Sequence, residues 1–573
     1  MSSSALLQYL VFLLTVTLLV KPVGRYMARV FSREKTLLDP LLCPLERLLY
    51  RLTGVDPTSE MRWQEYARAF VVFGMVGTLL LYAILRLQRL LPWFFPAYMT
   101  TAMTPDLAMN TAVSFSTTTT WQAYGGETTL SYFSQIVGLT VQNFLAGAAG
   151  LAVGVAFTRG MARNRVETLG NFWVDLVRSI LWVLLPLSLL GSLALVWQGV
   201  PMNFQPYAHV VGLEGTAQTI AQGPVAALEI IKNLGTNGGG FFNVNGAHPY
   251  ENPTPLANFI ALLAIAMLPA AFTHTYGLMI GRPAHGWVLY RVMVVLFVAG
   301  LLICGWAEQR GNPRLPHAVD TGAGEAQAGG NMEGKEVRFG VTSSVLTAVT
   351  TSNGATGSYN SMHDSYTPIG GMVLLVNMLL GEIVFGGLGT GIYSIVMVAL
   401  IGLFLAGLMI GRTPAYLGKR IQAAESKMIM LYILAGSISI LLFTALAVQS
   451  RAGLAGLVTN PGTHGFTEII FAYASANANN GQNFAGLNAN SPFYNLTTAI
   501  TMLVGRFGLA IPALGLAGLF AVQQPTPETA GTLPTNSLSF AVLLIATALI
   551  VSALSYFPAL ALGPILEQLH MVR

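Results

Sequence analysis

Four short polar segments interrupt an otherwise apolar chain: Ser116-Thr-Thr-Thr-Thr-Trp-Gln122, Gly235-Thr-Asn-Gly-Gly-Gly240, Thr350-Thr-Ser-Asn-Gly-Ala-Thr-Gly357 and Asn477-Ala-Asn-Asn-Gly481. They recur at steps of about 120 residues. What they offer is oxygen. A dehydrated potassium ion needs a ring of oxygens in place of its water, and backbone carbonyls from four loops supply one without formal charge. Carbonyls turn inward in succession only if some residues adopt positive φ or other unusual dihedrals, which glycine tolerates. Gly238, Gly357 and Gly481 are the candidates. Thr117, Thr118, Thr119, Thr120, Thr236 and Thr351 add hydroxyl oxygens or brace the loops. One glycine-rich turn such as Gly238-Gly-Gly240 is more often a plain turn. Four in register are harder to read as ordinary surface loops, because that reading explains neither the repeat nor the helices that precede them.

Those helices are short. Thr104-Pro105-Asp106 supplies a cap residue, a proline at the first helical position and an acid in the first turn. Gly223-Pro224 does similar work ahead of a helix predicted over Val225 to Leu234. About eleven residues rise only about 16 Å, too little to cross a core about 30 Å thick, so such helices re-enter the side they left. Their negative C-terminal ends then face the ion. Non-helical backbone at that depth requires protein or a water-filled cavity to satisfy it.

The surroundings are membranous. Of 573 residues, 53% are hydrophobic and 9% charged, and the mean hydropathy is +0.60; soluble domains carry about 25% charged residues. Ten apolar runs reach spanning length: Ala5 to Val20, Ala69 to Leu85, Tyr132 to Phe157, Ser179 to Trp197, Leu256 to Ile280, Trp287 to Ala307, Met372 to Ile410 with a break, Met428 to Val448, Tyr494 to Val522 and Phe540 to Leu562. The expected fold is an all-α polytopic membrane protein, one membrane domain over 1–573, with four span, pore loop, span repeats around a central pore (69–158, 172–281, 287–411 and 427–522). An extra span and basic segment (1–68) precede them and a last span (538–573) follows. A hexapeptide, Gly277-Leu-Met-Ile-Gly-Arg282, returns unchanged at Gly407 to Arg412, each copy ending a span.

Nineteen Lys and Arg residues fall on one side of this topology and eight on the other, with Lys232 and Arg506 set aside as intramembrane. The positive-inside rule then places both termini outside the cytoplasm. The net charge of +5 is mostly a topology determinant that also meets anionic lipid; no clustered basic face suggests nucleic acid. The first apolar run has no preceding basic region and reads as a retained anchor. Cys43 and Cys304 imply no disulfide framework. There is no Walker A sequence and no Asp-Lys-Thr-Gly phosphorylation motif, so no nucleotide is expected on this chain.

Longer strings are recognisable. Thr120-Trp-Gln-Ala-Tyr-Gly-Gly-Glu-Thr-Thr-Leu-Ser-Tyr-Phe-Ser134, Leu234-Gly-Thr-Asn-Gly-Gly-Gly-Phe-Phe-Asn243, Asn331-Met-Glu-Gly-Lys-Glu336, Met362-His-Asp-Ser365 and Gly381-Glu-Ile-Val-Phe-Gly-Gly387 closely resemble the KdpA family, the potassium-binding subunits of Kdp ATPases, related to the Trk, Ktr and HKT transporters. The resemblance covers nearly the whole chain. It implies a filter built from Thr117, Thr118, Thr119 and Thr120, from Thr236, Asn237 and Gly238, from Ala355, Thr356 and Gly357, and from Asn479, Asn480 and Gly481. It implies potassium as the only metal, a bacterial inner-membrane location, and energy from a P-type ATPase partner, KdpB, with KdpC and the small KdpF. Three departures stand out: Thr118 and Thr120 where the family pattern has Asn, a third loop one residue longer between Thr351 and Met362, and Asn-Ala-Asn-Asn-Gly in the fourth. Register to Met362-His363-Asp364 favours Gly357 over Gly354 as the third filter glycine.

Met372 to Ile410 is 39 residues long, nearly twice what a spanning helix needs. Gly386, Gly387, Gly389 and Gly391 mark the break, beside Glu382. A glycine-softened kink is the plain reading; the resemblance implies a gating loop beneath the filter. Arg506 needs an intramembrane partner, for which Glu382 is the first choice, with Arg412 joining the cluster; the group is either a structural ion pair or a coupling element. Lys232 is expected to pair with Glu229. His248, His363 and His464 lack the spacing of a metal site and read as caps or loop contacts. Glu308 to Arg338 reads as an outer loop, a linker or a docking segment. The rival functions are a self-sufficient channel or symporter of the Trk or HKT type and, less favoured, a membrane-embedded enzyme.

Overall fold

The computed structural model describes residues 3–91, 98–315, 319–324, 329–409, 411, 414–527 and 533–572. Among them ten helices are long and apolar enough to span a membrane: Ser3–Phe31, Trp63–Leu90, Ser134–Ala162, Phe172–Trp197, Pro255–Met279, Pro283–Arg310, Thr390–Met409, Ala423–Gln449, Pro492–Val522 and Leu538–Val572. Nine of them match apolar runs, and the seventh, Thr390–Met409, is the second half of the Met372 to Ile410 run. Hydropathy is a property of composition within one window, so this agreement needs no tertiary information. Four short helices, Pro105–Ser116, Val225–Leu234, Gly340–Asn353 and Thr463–Asn477, each lie between two of these spans. The second has the bounds expected after Gly223-Pro224, Val225–Leu234.

Burial sorts the spans into a core and a rim. In Ser134–Ala162 and Pro255–Met279, 72% of the apolar window is buried, whereas Ser3–Phe31 and Leu538–Val572 bury only 28% and 22%. The rim helices present Leu7, Leu10, Leu18, Leu549 and Leu554 outward, a surface suited to lipid. The core helices approach closely through small residues. A side chain on Gly154 would come within 2.6 Å of the Gly389 Cα, and one on Gly150 within 2.6 Å of the Leu388 carbonyl.

The seventh run breaks as its length requires. A half-helix, Pro368–Leu379, is followed by ten irregular residues, 380–389, before Thr390–Met409. Gly381, Glu382, Phe385 and Gly389 in the break all take positive φ. Ile410 and Arg412 lie outside the described residues.

At one end of the bundle the basic segments converge. Arg159 pairs with Asp175 at 2.6 Å, Arg163 with Glu60 at 2.7 Å, and Lys419 donates to the Met161 carbonyl at 2.9 Å. Two small antiparallel pairs sit there, Met61–Arg62 with Thr168–Gly170 and Ala415–Tyr416 with Lys419–Arg420. At the other end, where the four short helices start, Tyr9 reaches the Thr342 carbonyl and Glu567 holds His464. Both chain ends therefore belong to that face. The segment from Glu308 to Arg338 is anchored by a buried Glu308–Lys335 pair at 2.7 Å, with Asn331 and Thr367 also bonded to the Glu308 carboxylate; residues 316–318 and 325–328 within it are not described.

Candidate cation filter

The four short helices end in the same way. Their C-terminal caps are Thr117, Gly235, Gly354 and Ala478. The next residue of each loop is left-handed: Thr118 at φ 67°, Thr236 at 49°, Ala355 at 48° and Asn479 at 46°. Two residues further on, Thr120, Gly238 and Gly481 are left-handed again, at 52°, 109° and 85°. Alternating the sign of φ lets successive carbonyls lie on one side of the strand, the arrangement a carbonyl cage needs. The amide hydrogens turn back into the helix ends: Thr120 to Ser114 at 3.0 Å, Asn237 to Lys232 at 2.8 Å, Thr356 to Thr351 at 3.2 Å and Asn480 to Ser475 at 2.9 Å. A left-handed β-branched residue costs about 1–2 kcal/mol. The hydroxyls work against that cost, with Thr120 donating to the Thr119 carbonyl at 2.8 Å and Thr236 to that of Gly235 at 2.7 Å.

Gly357 differs from Gly238 and Gly481. Its φ is not positive. Its lack of a side chain answers to crowding instead, because a Cβ there would lie 2.9 Å from the Asn480 carbonyl oxygen. Similar close approaches link the remaining loops into a closed ring. Gly238 bridges Gly357, with the Gly357 amide donating to the Asn237 carbonyl at 3.3 Å. A Cβ on Gly481 would overlap the Thr119 carbonyl, and one on Gly239 would stand 3.2 Å from that of Thr120. Asn479 adds a bond to Thr119 Oγ1 at 2.9 Å and Asn480 one to the Thr351 carbonyl at 3.0 Å. All thirteen expected filter residues therefore belong to one assembly, and Gly357, not Gly354, takes the glycine position of the third loop.

On the side from which the helices start, a cavity of about 770 Å³ is lined by residues following each loop, including Gln122, Asn245, Tyr359 and Asn483. Glu336 is its one acidic lining residue, and no Lys or Arg lines it among the described residues. Burial holds the His248 imidazole below its usual range, and burial together with Lys335 pushes that of His363 down to about 3. His363, which lines the cavity, is therefore neutral near pH 7 and does not repel a cation. His248 stacks on Phe242 at 3.7 Å, a loop contact as expected.

The break in the seventh span lies beneath. The Leu388 amide donates to Thr236 Oγ1 at 2.7 Å, and a Cβ on Gly387 would sit 3.4 Å from that of Ala355. Gly386 and Gly389 are bare where a side chain would overlap the Glu382 and Gly150 carbonyls. The loop thus touches the second and third filter segments at their first left-handed residue.

The expected Glu382–Arg506 ion pair is not formed. Glu382 accepts from the Gly387 amide at 3.2 Å, within its own loop. Arg506, buried on a π-helical turn of the ninth span, donates to Thr118 Oγ1 at 3.2 Å and to the Ala146 carbonyl at 2.7 Å. Glu382 is held by its own loop and Arg506 by a hydroxyl and a carbonyl more than 350 residues away in sequence, which local patterns do not reveal. Arg412 lies outside the described residues. Lys232 and Glu229 do pair, at 2.6 Å behind the second loop. Sequence reasoning missed the loop fasteners. Gln122 accepts from the Gly240 amide at 2.8 Å, Glu251 from that of Phe241 at 2.7 Å, and Tyr359 from that of Asn483 at 2.6 Å. Gln122 and Tyr359, an amide and an aromatic just after the first and third filter segments, were the available signal, and Glu251 gave none.

The family model described as "Potassium-transporting ATPase A subunit" matches residues 10–569. The chain belongs to the KdpA family. Among relatives of KdpA type, the "Potassium-transporting ATPase potassium-binding subunit" of Methylobacterium nodulans is 53% identical over 551 residues, covering 96% of this chain and 95% of that one. The protein of the same description from Koribacter versatilis is 49% identical over 588 residues, covering 100% and 99%. The crystal structure of the potassium transporter TrkH from Vibrio parahaemolyticus shares the fold, with a TM-score of 0.52 at 13% identity, covering 87% of this chain and 96% of that one.

Proposed function

We propose that this chain captures potassium in the four-loop filter and passes it across the membrane as the channel-like subunit of an ATP-driven Kdp-type pump. The single observation that carries the reading is the closure of four loops into one ring with left-handed residues at matching positions. Thr117 to Thr120, Thr236 to Gly238, Ala355 to Gly357 and Asn479 to Gly481 supply the oxygens. An ion arriving in the uncharged part of the vestibule exchanges water for carbonyls, and the short helices aim their negative ends at it. The four repeats are those at 69–158, 172–281, 287–411 and 427–522.

Below the filter, the loop carrying Glu382, Gly386, Gly387 and Gly389 gates the path, and Arg506 couples the first loop to the surrounding spans. Energy comes from a partner that hydrolyses ATP, the KdpB subunit, in a complex with KdpC and KdpF; this chain itself binds no nucleotide. The basic face is cytoplasmic and the vestibule and both termini are extracytoplasmic, in the inner membrane of a bacterium. Membership of a family of ATPase subunits across residues 10–569 speaks against a self-sufficient channel or symporter. Co-purification followed by an ATPase assay tests the reading. A stable complex whose hydrolysis is stimulated by potassium is the expected result, and full potassium uptake by the chain alone would overturn it.

A further inference from the structure

We propose that Asp364, His464 and Glu468 form a binding site for a divalent transition-metal ion of the zinc class, on the vestibule face and separate from the potassium filter. One ligand atom from each residue lies within 4.8 Å of the others. His464 Nε2 is 3.0 Å from Asp364 Oδ1 and 3.8 Å from Glu468 Oε1. His464 and Glu468 are one turn apart on the fourth pore helix, a spacing that places both on one face. Asp364 comes from the turn that follows the third filter loop.

The imidazole is already oriented for the task. Its other nitrogen, Nδ1, is 2.8 Å from Glu567 Oε1 on the last span, and its ring stacks on Phe484 with an interplanar angle of 14°. A carboxylate on the far nitrogen of a histidine is the usual companion of metal ligation, since it settles the tautomer and aims the ligating atom.

A separate observation points to a ligand. Glu468 is fully buried; one of its oxygens accepts from Asn460 Nδ2 at 2.8 Å, no N–H or hydroxyl donor reaches Oε2, and its carboxyl lies against that of Asp364, two acids that only a shared proton or a cation reconciles. Among the described residues His464 is the one cationic side chain within ion-pair distance of Asp364, Glu468 or Glu567. Three carboxylates around one imidazole leave an excess of negative charge, and buried carboxylates are ordinarily paired or ligate metal. One imidazole nitrogen with two carboxylate oxygens suits zinc and its neighbours, whereas magnesium and calcium take oxygen alone. A cavity of about 570 Å³, lined by Asp364, His464 and Glu567 together with Asn312, Arg314 and His570, borders the site and gives an ion a way in, while Glu468 closes it from behind. A bound ion would tie together three elements remote in sequence.

The test uses the full-length, untagged chain in detergent, stripped with a chelator and dialysed against zinc, with metal content measured. One zinc per chain is expected. His464→Gln and Glu468→Gln should each weaken binding at least tenfold, Glu567→Gln by roughly 10- to 100-fold, and His570→Gln not at all. Wild-type protein that retains no zinc, or His464→Gln that binds zinc as wild type does, would overturn the assignment. Cobalt keeps the question open to an answer if a variant misfolds. Wild-type protein should show a visible absorption band from mixed nitrogen and oxygen ligation that zinc abolishes, and the lack of such a band counts against the site.

Discussion

Gly238 carries two demands at once: a φ of 109° and a neighbour so close that a Cβ would stand 2.6 Å from the Gly357 Cα. Replacing it with Asp strains the backbone by about 1 kcal/mol or more. The change also puts a fixed charge where the proposed filter would select through carbonyls. Gly238→Asp is expected to lower apparent potassium affinity at least tenfold and to weaken discrimination against rubidium, ammonium and sodium. Gly215→Asp is the matched control, because Gly215 is also left-handed but has open space around it. Ion competition in the purified complex measures both; wild-type preference in Gly238→Asp would remove this loop from the filter. The two arginines 451 and 506 make a second pair. Arg506 is buried and bonded to Thr118 and Ala146, while Arg451 is exposed. Arg506→Ala is expected to cut uptake tenfold or more or to prevent assembly, and Arg451→Ala to stay within about twofold, since exposed charges contribute little. Equal small effects would argue against a role for Arg506 under the first loop.

At the scale of elements, the break in the seventh span gives the clearest prediction. Gly389, at φ 89°, lies against the Gly150 carbonyl, so Gly389→Val must displace the loop beneath the filter. Potassium uptake should fall severely while potassium binding, followed by titration calorimetry, stays within a few fold, because the ring itself is closed by loop-to-loop contacts. Loss of both in equal measure would show the loop to be part of the filter instead of a gate below it. The break was legible in advance because 39 apolar residues exceed any single crossing. Its ten irregular residues run from 380, just ahead of the Gly386 cluster. The pore helix at Val225–Leu234 was legible to the residue, since proline and glycine act on the backbone locally. Gly357 was preferred to Gly354 on register alone, and what keeps it bare, the carbonyl of Asn480 in the fourth loop, has no local signal.

For the whole molecule, the prediction concerns energy. The isolated chain should bind potassium and hydrolyse no ATP, because the sequence carries neither a P-loop nor an aspartyl-phosphate motif. Hydrolysis by the rigorously purified single chain would contradict it, and potassium-stimulated hydrolysis should return when the partner subunits are added. The sequence by itself determined the ten spans, the four re-entrant helices and the polar segments that end them. Hydropathy, capping and glycine placement act within windows of a few residues to about twenty, and each is written in the window it governs. Only the tertiary structure decided which loop touches which. It also decided that Glu382 is held by the Gly387 amide and Arg506 by Thr118 and Ala146, not by each other, and that His464 meets Asp364 and Glu567 across a hundred residues. Those contacts join the ends of helices that separate turns of the chain bring side by side. Their partners are set by the packing of the bundle, which no local pattern encodes.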